Sequence, residues 1–527
     1  MNVDFDKKTT NIVVAGGGTA GWMTAIWVKN FYPEVKVTVI ENSEIGTLGA
    51  GEGSTIQFFE YLNEVGIPFN ELFKFANGTI KSGIKFTGWN ELGESFMHSF
   101  AGIDDVNWNT QFSYNASKVP LIALEEISQG NNLDGFDISA QTANRNAVRF
   151  LPVPILKQKT DNPLTHFGKI GENAAHFDSI LLGGYFKKFA CNKRYVNSVD
   201  GEIKDILTDK DGYVSSVNLT DGSNLPVDFI FDCTGFNRKI IGDFYKTKFK
   251  SYKKSLPVNR AISFNVPIDF EKDDLPPYTE AVAMKYGWMW KIPLQNRMGC
   301  GYVFDSNYLT DEQAKKEIDE VTGRDNRIAR TFSFEAGVYE KPWVKNCIAI
   351  GLAQGFVEPL EATSIWTIID SLKLFNGFIH GATYRDENAI NFYNDSINST
   401  HEKIASFIYF HYITNRTDTP FWKNFVKNNK TPDIVKQLLE NRDVSFLNYF
   451  VSKNMHNFAV PSWLQVGAGK KFFWKPEEVE KVFNSMLQGV KRNEYFRKKQ
   501  QFMSNMTVVA NSCIDHKSFL TFTSDYN

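Results

Sequence analysis

The sequence predicts an α/β fold with a mainly helical C-terminal part, on three observations. Residues 12–40 read as strand, helix, strand, the unit that builds parallel sheets. Short apolar strand patterns recur between about 194 and 350. From about 365 to near 510 the pattern turns helical and rich in aromatic residues.

Taken in order, the first strand is Ile12-Val13-Val14-Ala15, bounded by Asn11 and Gly16. A helix follows from about Thr19 to Asn30, with Pro33 in the turn beyond it. The second strand, 35–40, stops at Glu41. Residues 57–75 read as helix, and 79–90 and 95–100 as strands with a break at Gly88. The 101–160 stretch, rich in Asn, Asp and Gly, reads as surface loops and short helices. A helix over 176–190 precedes strands near 194–199, 213–219, 227–233, 260–266, 281–286, 297–304 and 346–350. The expected division is a sheet domain over 1–380, carrying an inserted segment at about 101–160, and a helical part over 381–527.

Composition excludes several classes. The 527 residues hold 58 Lys+Arg against 60 Asp+Glu, a net charge of −2. That lacks the basic excess needed to bind a phosphate backbone, so no nucleic-acid partner is expected. A hydrophobic share of 42% with 22% charge fits a folded soluble protein. Five scattered cysteines (191, 233, 300, 347, 513) without a CxxC argue against a disulfide framework or a zinc ribbon. No signal-peptide core and no run of about 18 apolar residues is present, so the expectation is a cytoplasmic protein without membrane contact. His401-Glu402-Lys403-Ile404-Ala405 starts like HExxH but lacks the second His, and no metal site is expected.

The first candidate site is Gly16-Gly17-Gly18-Thr19-Ala20-Gly21, which fits G-x-G-x-x-G between a strand and a helix. Gly16 suits the tight turn, Gly18 the close approach of a pyrophosphate, and Gly21 the packing of helix on strand. The helix N-terminus favours the anion, and Glu41, at the end of the next strand, suits the adenosine ribose. The motif does not separate NAD from FAD. Two later segments lean toward flavin: 227–235, ending Asp232-Cys233-Thr234-Gly235, and 347–353, ending Gly351-Leu352-Ala353. A second G-x-G-x-x-G for a nicotinamide is missing, so reduced flavin is expected from elsewhere.

At 287–293 the chain reads Gly287-Trp288-Met289-Trp290-Lys291-Ile292-Pro293. This resembles the GWxWxIP signature of the flavin-dependent halogenases, the group that includes the tryptophan halogenases. Further blocks resemble the family in family order: IGTLGAGEGS (45–54), HFDSILL (176–182), LPVNRA (256–261), GCGYVF (299–304), NCIAIGLAQGFVEPLEAT (346–363) and HYITNRTDTPFW (411–422). The resemblance implies an FAD-binding fold of the glutathione-reductase and hydroxylase type, with a helical substrate part. It implies FAD as FADH₂, O₂ and a halide ion as co-reactants, a separate flavin reductase as partner, and a small electron-rich aromatic substrate, indole- or phenol-like. A homodimer is compatible with it. An FAD-dependent hydroxylase, or a flavin-binding protein without catalysis, is the alternative.

Residue by residue, the resemblance places the catalytic lysine on Lys81 and the catalytic glutamate on Glu361, with Glu358 as the rival. Taken alone, Lys81 or Lys85 reads as a solvated surface lysine. Halide falls to the backbone N–H groups of Thr363 and Ser364. Ala50, Leu352 and Ile365 fall beside the cofactor with Thr19 and Ala20, and His98 and Phe100 match the family's His-x-Phe at the substrate. The chain departs from the family at Ala362, commonly Ser, and at Ser364, commonly Gly. A positive φ at 364 would be costly without glycine. The family's aromatic grip on free tryptophan has no clear counterpart in 440–470, where Asn457-Phe458-Ala459-Val460-Pro461-Ser462-Trp463-Leu464 stands.

Overall fold

The computed structural model describes residues 5, 8–44, 52–100, 121–148, 173–379, 385–444, 447–454, 457–471, 473–488 and 492–525. Ala50 and most of the 101–160 segment lie outside these residues. The chain divides into two compact units, each assembled from three stretches. One comprises Met1–Asn77, Phe177–Lys253 and Glu335–Glu402; the other comprises Gly78–His176, Lys254–Phe334 and Lys403–Asn527.

The first unit is built on a six-stranded sheet in the order Trp343–Val344, Cys347–Ala349, Phe229–Asp232, Asn11–Ala15, Lys36–Glu41, Asn197–Asp200. All neighbours are parallel except the first pair. Val13, Ala15, Ile40 and Ile230 are buried on this sheet, as expected for parallel strands covered on both faces. The helix Thr19–Phe31 starts at the first strand's carboxyl end, and its residues Trp22 to Val28 are buried throughout. The expected 57–75 helix is two helices, Gln57–Glu64 and Asn70–Phe75. Gly66, at φ +71, and Pro68 interrupt it. The expected 176–190 helix runs over Ser179–Arg194 instead, because Asp178 caps it by accepting from the N–H groups of Ile180 and Leu181 at 3.0 and 3.1 Å.

The second unit carries a seven-stranded sheet in the order Ile328–Ser333, Arg260–Pro267, Arg297–Phe304, Gly287–Pro293, Thr279–Met284, Gly83–Thr87, Ser95–Ser99. Only Thr279–Met284 and Gly83–Thr87 pair in parallel. The expected 281–286 strand is thus one arm of a hairpin whose other arm is Gly287–Pro293. Helix Asp311–Thr322, absent from the expectation, carries a capping box from Thr310 and Gln313 and ends at Gly323 in left-handed backbone. Beyond Glu387–His411 the described residues are mainly helical as far as Asp525, with a short strand at Ile514–Asp515. Among the described residues no helix is long and apolar enough to cross a membrane.

Candidate active site

The expected residues fall in both units, and each group is described where it lies. In the first unit, Gly16 takes φ +115, and a Cβ there would lie 2.2 Å from the Cys233 carbonyl oxygen. A Cβ on Gly21 would lie 1.8 Å from the Gly16 carbonyl oxygen, so the helix meets the strand only through glycine. Gly18, in extended backbone before the helix, has open space where a side chain would stand. The first N–H groups of a helix have no intrahelical acceptor and carry the positive end of its dipole. Glu41 accepts at Oε1 from Lys187 and, at 2.7 Å, from Ser198, while its Oε2 lies against Gly17. A glycine-lined gap at a helix start, with a carboxylate beside it, fits a dinucleotide.

The same unit holds the second expected group. Gly351, at φ +68, opens the turn after the strand Cys347–Ala349, and a Cβ there would meet Ala20 at 2.9 Å and Ile368 at 3.5 Å. The turn bearing Leu352 therefore packs between the start of the nucleotide helix and the helix Thr363–Ile379, on which Ile365 is buried. Glu358 and Glu361 are both buried. The turn between them closes by the Ala362 N–H donating to the Pro359 carbonyl at 2.9 Å. Ser364 is helical and so avoids the positive φ that would be costly there without glycine. A positive φ falls on Ala362, at φ +53. Thr363 and Ser364 thus present first-turn N–H groups of a 17-residue helix, an arrangement that suits an anion.

In the second unit Lys81 is fully buried, against the solvated reading, whereas Lys85 is partly exposed. Lys81 ends the strand Thr79–Lys81, which pairs antiparallel with Ala174–Phe177 so that Thr79 faces His176 and Lys81 faces Ala174. Its Nζ lies 5.3 Å from the centre of the Phe100 ring. Thr79 donates its hydroxyl to the Pro293 carbonyl at 2.6 Å, at the end of the GWMWKIP strand. On that strand Trp288 and Trp290 are buried, their centres 6.2 Å apart, and Trp290 lies over Gly301 of the next strand.

His98, on the strand Ser95–Ser99, is buried beside Phe407 and Phe458, at 5.6 and 6.4 Å between ring centres. Phe407 and Phe458 stack at 4.0 Å. Next to it, Ser99 and Gln465 donate to one oxygen of Asp137, and the N–H groups of Ser139 and Ala140 to the other. Burial pushes the Asp137 carboxyl above the usual carboxylate range, against the hydrogen bonds from Ser99, Ala140 and Ser139 and the charge of His98. His176, seen in the sequence only as part of a block, and His516 and Asp137, not seen at all, are the residues that sequence reasoning missed. A capping Asp before a helix was the one local signal available for them.

The family model for tryptophan halogenase matches residues 11–487. The tryptophan 6-halogenase SttH of Streptomyces toxytricini is 32% identical over 452 residues, covering 82% of this chain and 84% of that protein. The tryptophan 7-halogenase RebH of Lentzea aerocolonigenes is 30% identical over 444 residues, covering 79% and 78%. In structure, the flavin-dependent halogenase BrvH of Brevundimonas sp. BAL3 superposes with a TM-score of 0.82 over 99% of this chain and all of that one, at 24% identity, a likeness of fold.

Proposed function

The chain belongs to the tryptophan halogenase family of enzymes, and from that premise we propose a two-component halogenase that places halogen on a small electron-rich arene. Reduced FAD comes from a separate reductase. When bound, it supplies the activation of O₂ that turns halide into hypohalous acid.

The residues of this chain do the rest. Gly18 and the start of the helix Thr19–Phe31 hold the pyrophosphate, and Glu41 the ribose. The N–H groups of Thr363 and Ser364 hold the halide. Lys81 receives hypohalous acid at Nζ and directs its electrophilic halogen. The arene's π electrons form the carbon–halogen bond as the halogen–oxygen bond breaks, and the oxygen leaves as water by taking a proton from the Lys81 ammonium. Glu361 then takes the proton from the substituted carbon. Phe100 and the Trp288/Trp290 strand provide apolar walls that keep water from the oxidant, with His98 set beside Phe407 and Phe458.

The observation that carries the reading is the burial of Lys81. Burying an ammonium on a three-residue strand is costly and points to a functional group, and its Nζ lies 5.3 Å from the centre of the Phe100 ring of the His-x-Phe pair. The test supplies protein, FAD, a flavin reductase, NADH and a panel of indoles, phenols and anilines with chloride, bromide or iodide, and catalase to remove stray peroxide. Lys81→Ala should bind FAD like the parent and lose halogenated product by at least about 100-fold. Oxygenated product without halide would point to a hydroxylase. FAD binding without product on any arene would point to a flavin protein without catalysis.

A further inference from the structure

Lys81 sits on a short, fully buried strand whose second edge is met by a residue far away in sequence. Thr79–Lys81 pairs with Ala174–Phe177 on one side. The Ile80 N–H, which points away from that partner, donates to Nε2 of His516 at 3.0 Å. Nδ1 of the same ring meets the Leu275 carbonyl at 2.8 Å. A backbone N–H can only donate and a carbonyl can only accept, so His516 carries its proton on Nδ1 and is neutral. Burial, which pushes its pKa down to about 4, agrees. The ring itself is placed by the strand Ile514–Asp515 pairing with Ala147–Val148, and by the His516 N–H donating to the Asn146 carbonyl at 2.9 Å.

The other end of the strand is held in the same way. The Thr79 hydroxyl gives its one hydrogen to Pro293, so its 2.9 Å contact with His176 Nδ1 has the imidazole as donor. Burial and the Lys81 charge hold His176 well below its ordinary pKa, so the ring is neutral and its Nε2 accepts from the Thr279 hydroxyl at 2.9 Å. Two neutral, fully buried imidazoles thus fix the lysine strand without placing a second cation beside the ammonium. His516 lies 29 residues beyond the end of the family match, which stops at 487.

We propose that His516, brought in by the C-terminal strand and helix, is a positioning residue for Lys81: by taking up the Ile80 N–H it substitutes for the missing neighbour strand and fixes where Nζ meets hypohalous acid. The proposal rests on the reading of Lys81 given above. A lysine free to shift by an ångström would let oxidant escape before it reaches the arene. The signature is uncoupling, with oxidant still made but less of it transferred.

Two substitutions separate the two bonds of the ring. His516→Asn keeps a donor for Leu275 but is too short to accept from Ile80; His516→Gln reaches Ile80. Each variant, with the parent, is given reduced FAD, halide and arene. Halogenated product, and free hypohalous acid caught by a 1,3-diketone, are then measured with FAD binding and the melting temperature. His516→Asn should lose about tenfold or more of the product-to-free-oxidant ratio with arene KM and FAD binding unchanged, and His516→Gln should restore most of it. Equal ratios in the parent and both variants would overturn the proposal. So would a loss of product, oxidant and FAD binding in parallel, which marks a merely structural role. Should His516→Asn fail to fold, Thr79→Val, which cuts the link to Pro293, decides on the same ratio. A parent that makes no halide-dependent oxidant at all would sink the halogenase reading instead.

Discussion

The two units build their share of the chemistry from different material. The first uses mainly backbone, with the carboxylates Glu41 and Glu361 beside it: glycines, helix starts and turns gathered within short windows such as 16–21 and 358–364. The second uses buried side chains drawn from across the chain. Thr79 and His176 are 97 positions apart, Thr79 and Pro293 are 214, and Ile80 and His516 are 436. A backbone site tolerates changes in its side chains but not in its glycines. A side-chain site is undone by single polar substitutions that leave the backbone intact. The contrast predicts which lesions abolish binding and which abolish only transfer.

The largest effect should come from Gly21→Ala. Its Cβ would fall 1.8 Å from the Gly16 carbonyl, with backbone as the obstacle, so the turn itself must move. The expected result is loss of FAD binding, read by fluorescence titration, together with about 1–3 kcal/mol of stability. The contrast with Lys81→Ala, where FAD binding should survive, is what the comparison requires. Retention of FAD by Gly21→Ala would show that the first unit does not depend on its backbone in the way the geometry implies.

The same contrast explains what the sequence could and could not disclose. The nucleotide turn was legible because each of its requirements, a tight bend, a close approach and a helix start, is met within six residues. The helix Ser179–Arg194 was legible in kind but misplaced by a few positions, since Asp178 and not the hydrophobic pattern sets its start. The arm Gly287–Pro293 was read as a motif and not placed as a strand, and the helix Asp311–Thr322 escaped, although Thr310 and Gln313 spelled out a capping box. Lys81 was readable only through resemblance. Its strand pairs with 174–177 and is tied through Thr79 to Pro293 and through Ile80 to His516, and no local pattern can report contacts at those separations. The positive φ at 362 also follows from tertiary closure, because alanine itself gives no local reason for it.

A middle-sized effect concerns pH, and each unit holds a carboxyl pushed up to about 7 that reports on it. Burial pushes the Glu52 carboxyl of the first unit up to about 7, the Asp178 charge adding to this and a Ser179 hydrogen bond opposing it. Burial likewise pushes Asp134 of the second unit up to about 7, with Asp137 adding and the Met97 N–H and Lys85 opposing. Each folded group keeps its proton above the ordinary carboxylate value of about 4, so the folded state binds more protons than the unfolded chain between about 4 and 7. Stability from these groups is therefore full below about 4 and is lost as pH rises through 7. Glu52→Gln and Asp134→Asn should each flatten the fall of melting temperature between pH 4 and 8. Should only one do so, the two units would differ in how they bury acid as well as in how they build their sites.

The smallest effect tests the first unit's backbone rule where it is broken. Ala362 stands in left-handed backbone at φ +53, directly before the helix whose first N–H groups are proposed to hold halide. A left-handed L-residue costs about 1–2 kcal/mol, a cost glycine does not carry. Glycine also adds freedom to the unfolded chain, which offsets part of that gain. Ala362→Gly should therefore raise stability by no more than about 1 kcal/mol, read from denaturant midpoints at constant slope. Because the helix start keeps its N–H groups, the apparent halide affinity should stay within about twofold of the parent, an energy near 0.4 kcal/mol. A large fall in halide affinity with unchanged stability would mean that the strained turn orients those N–H groups, and that Ala362 holds the halide site in shape.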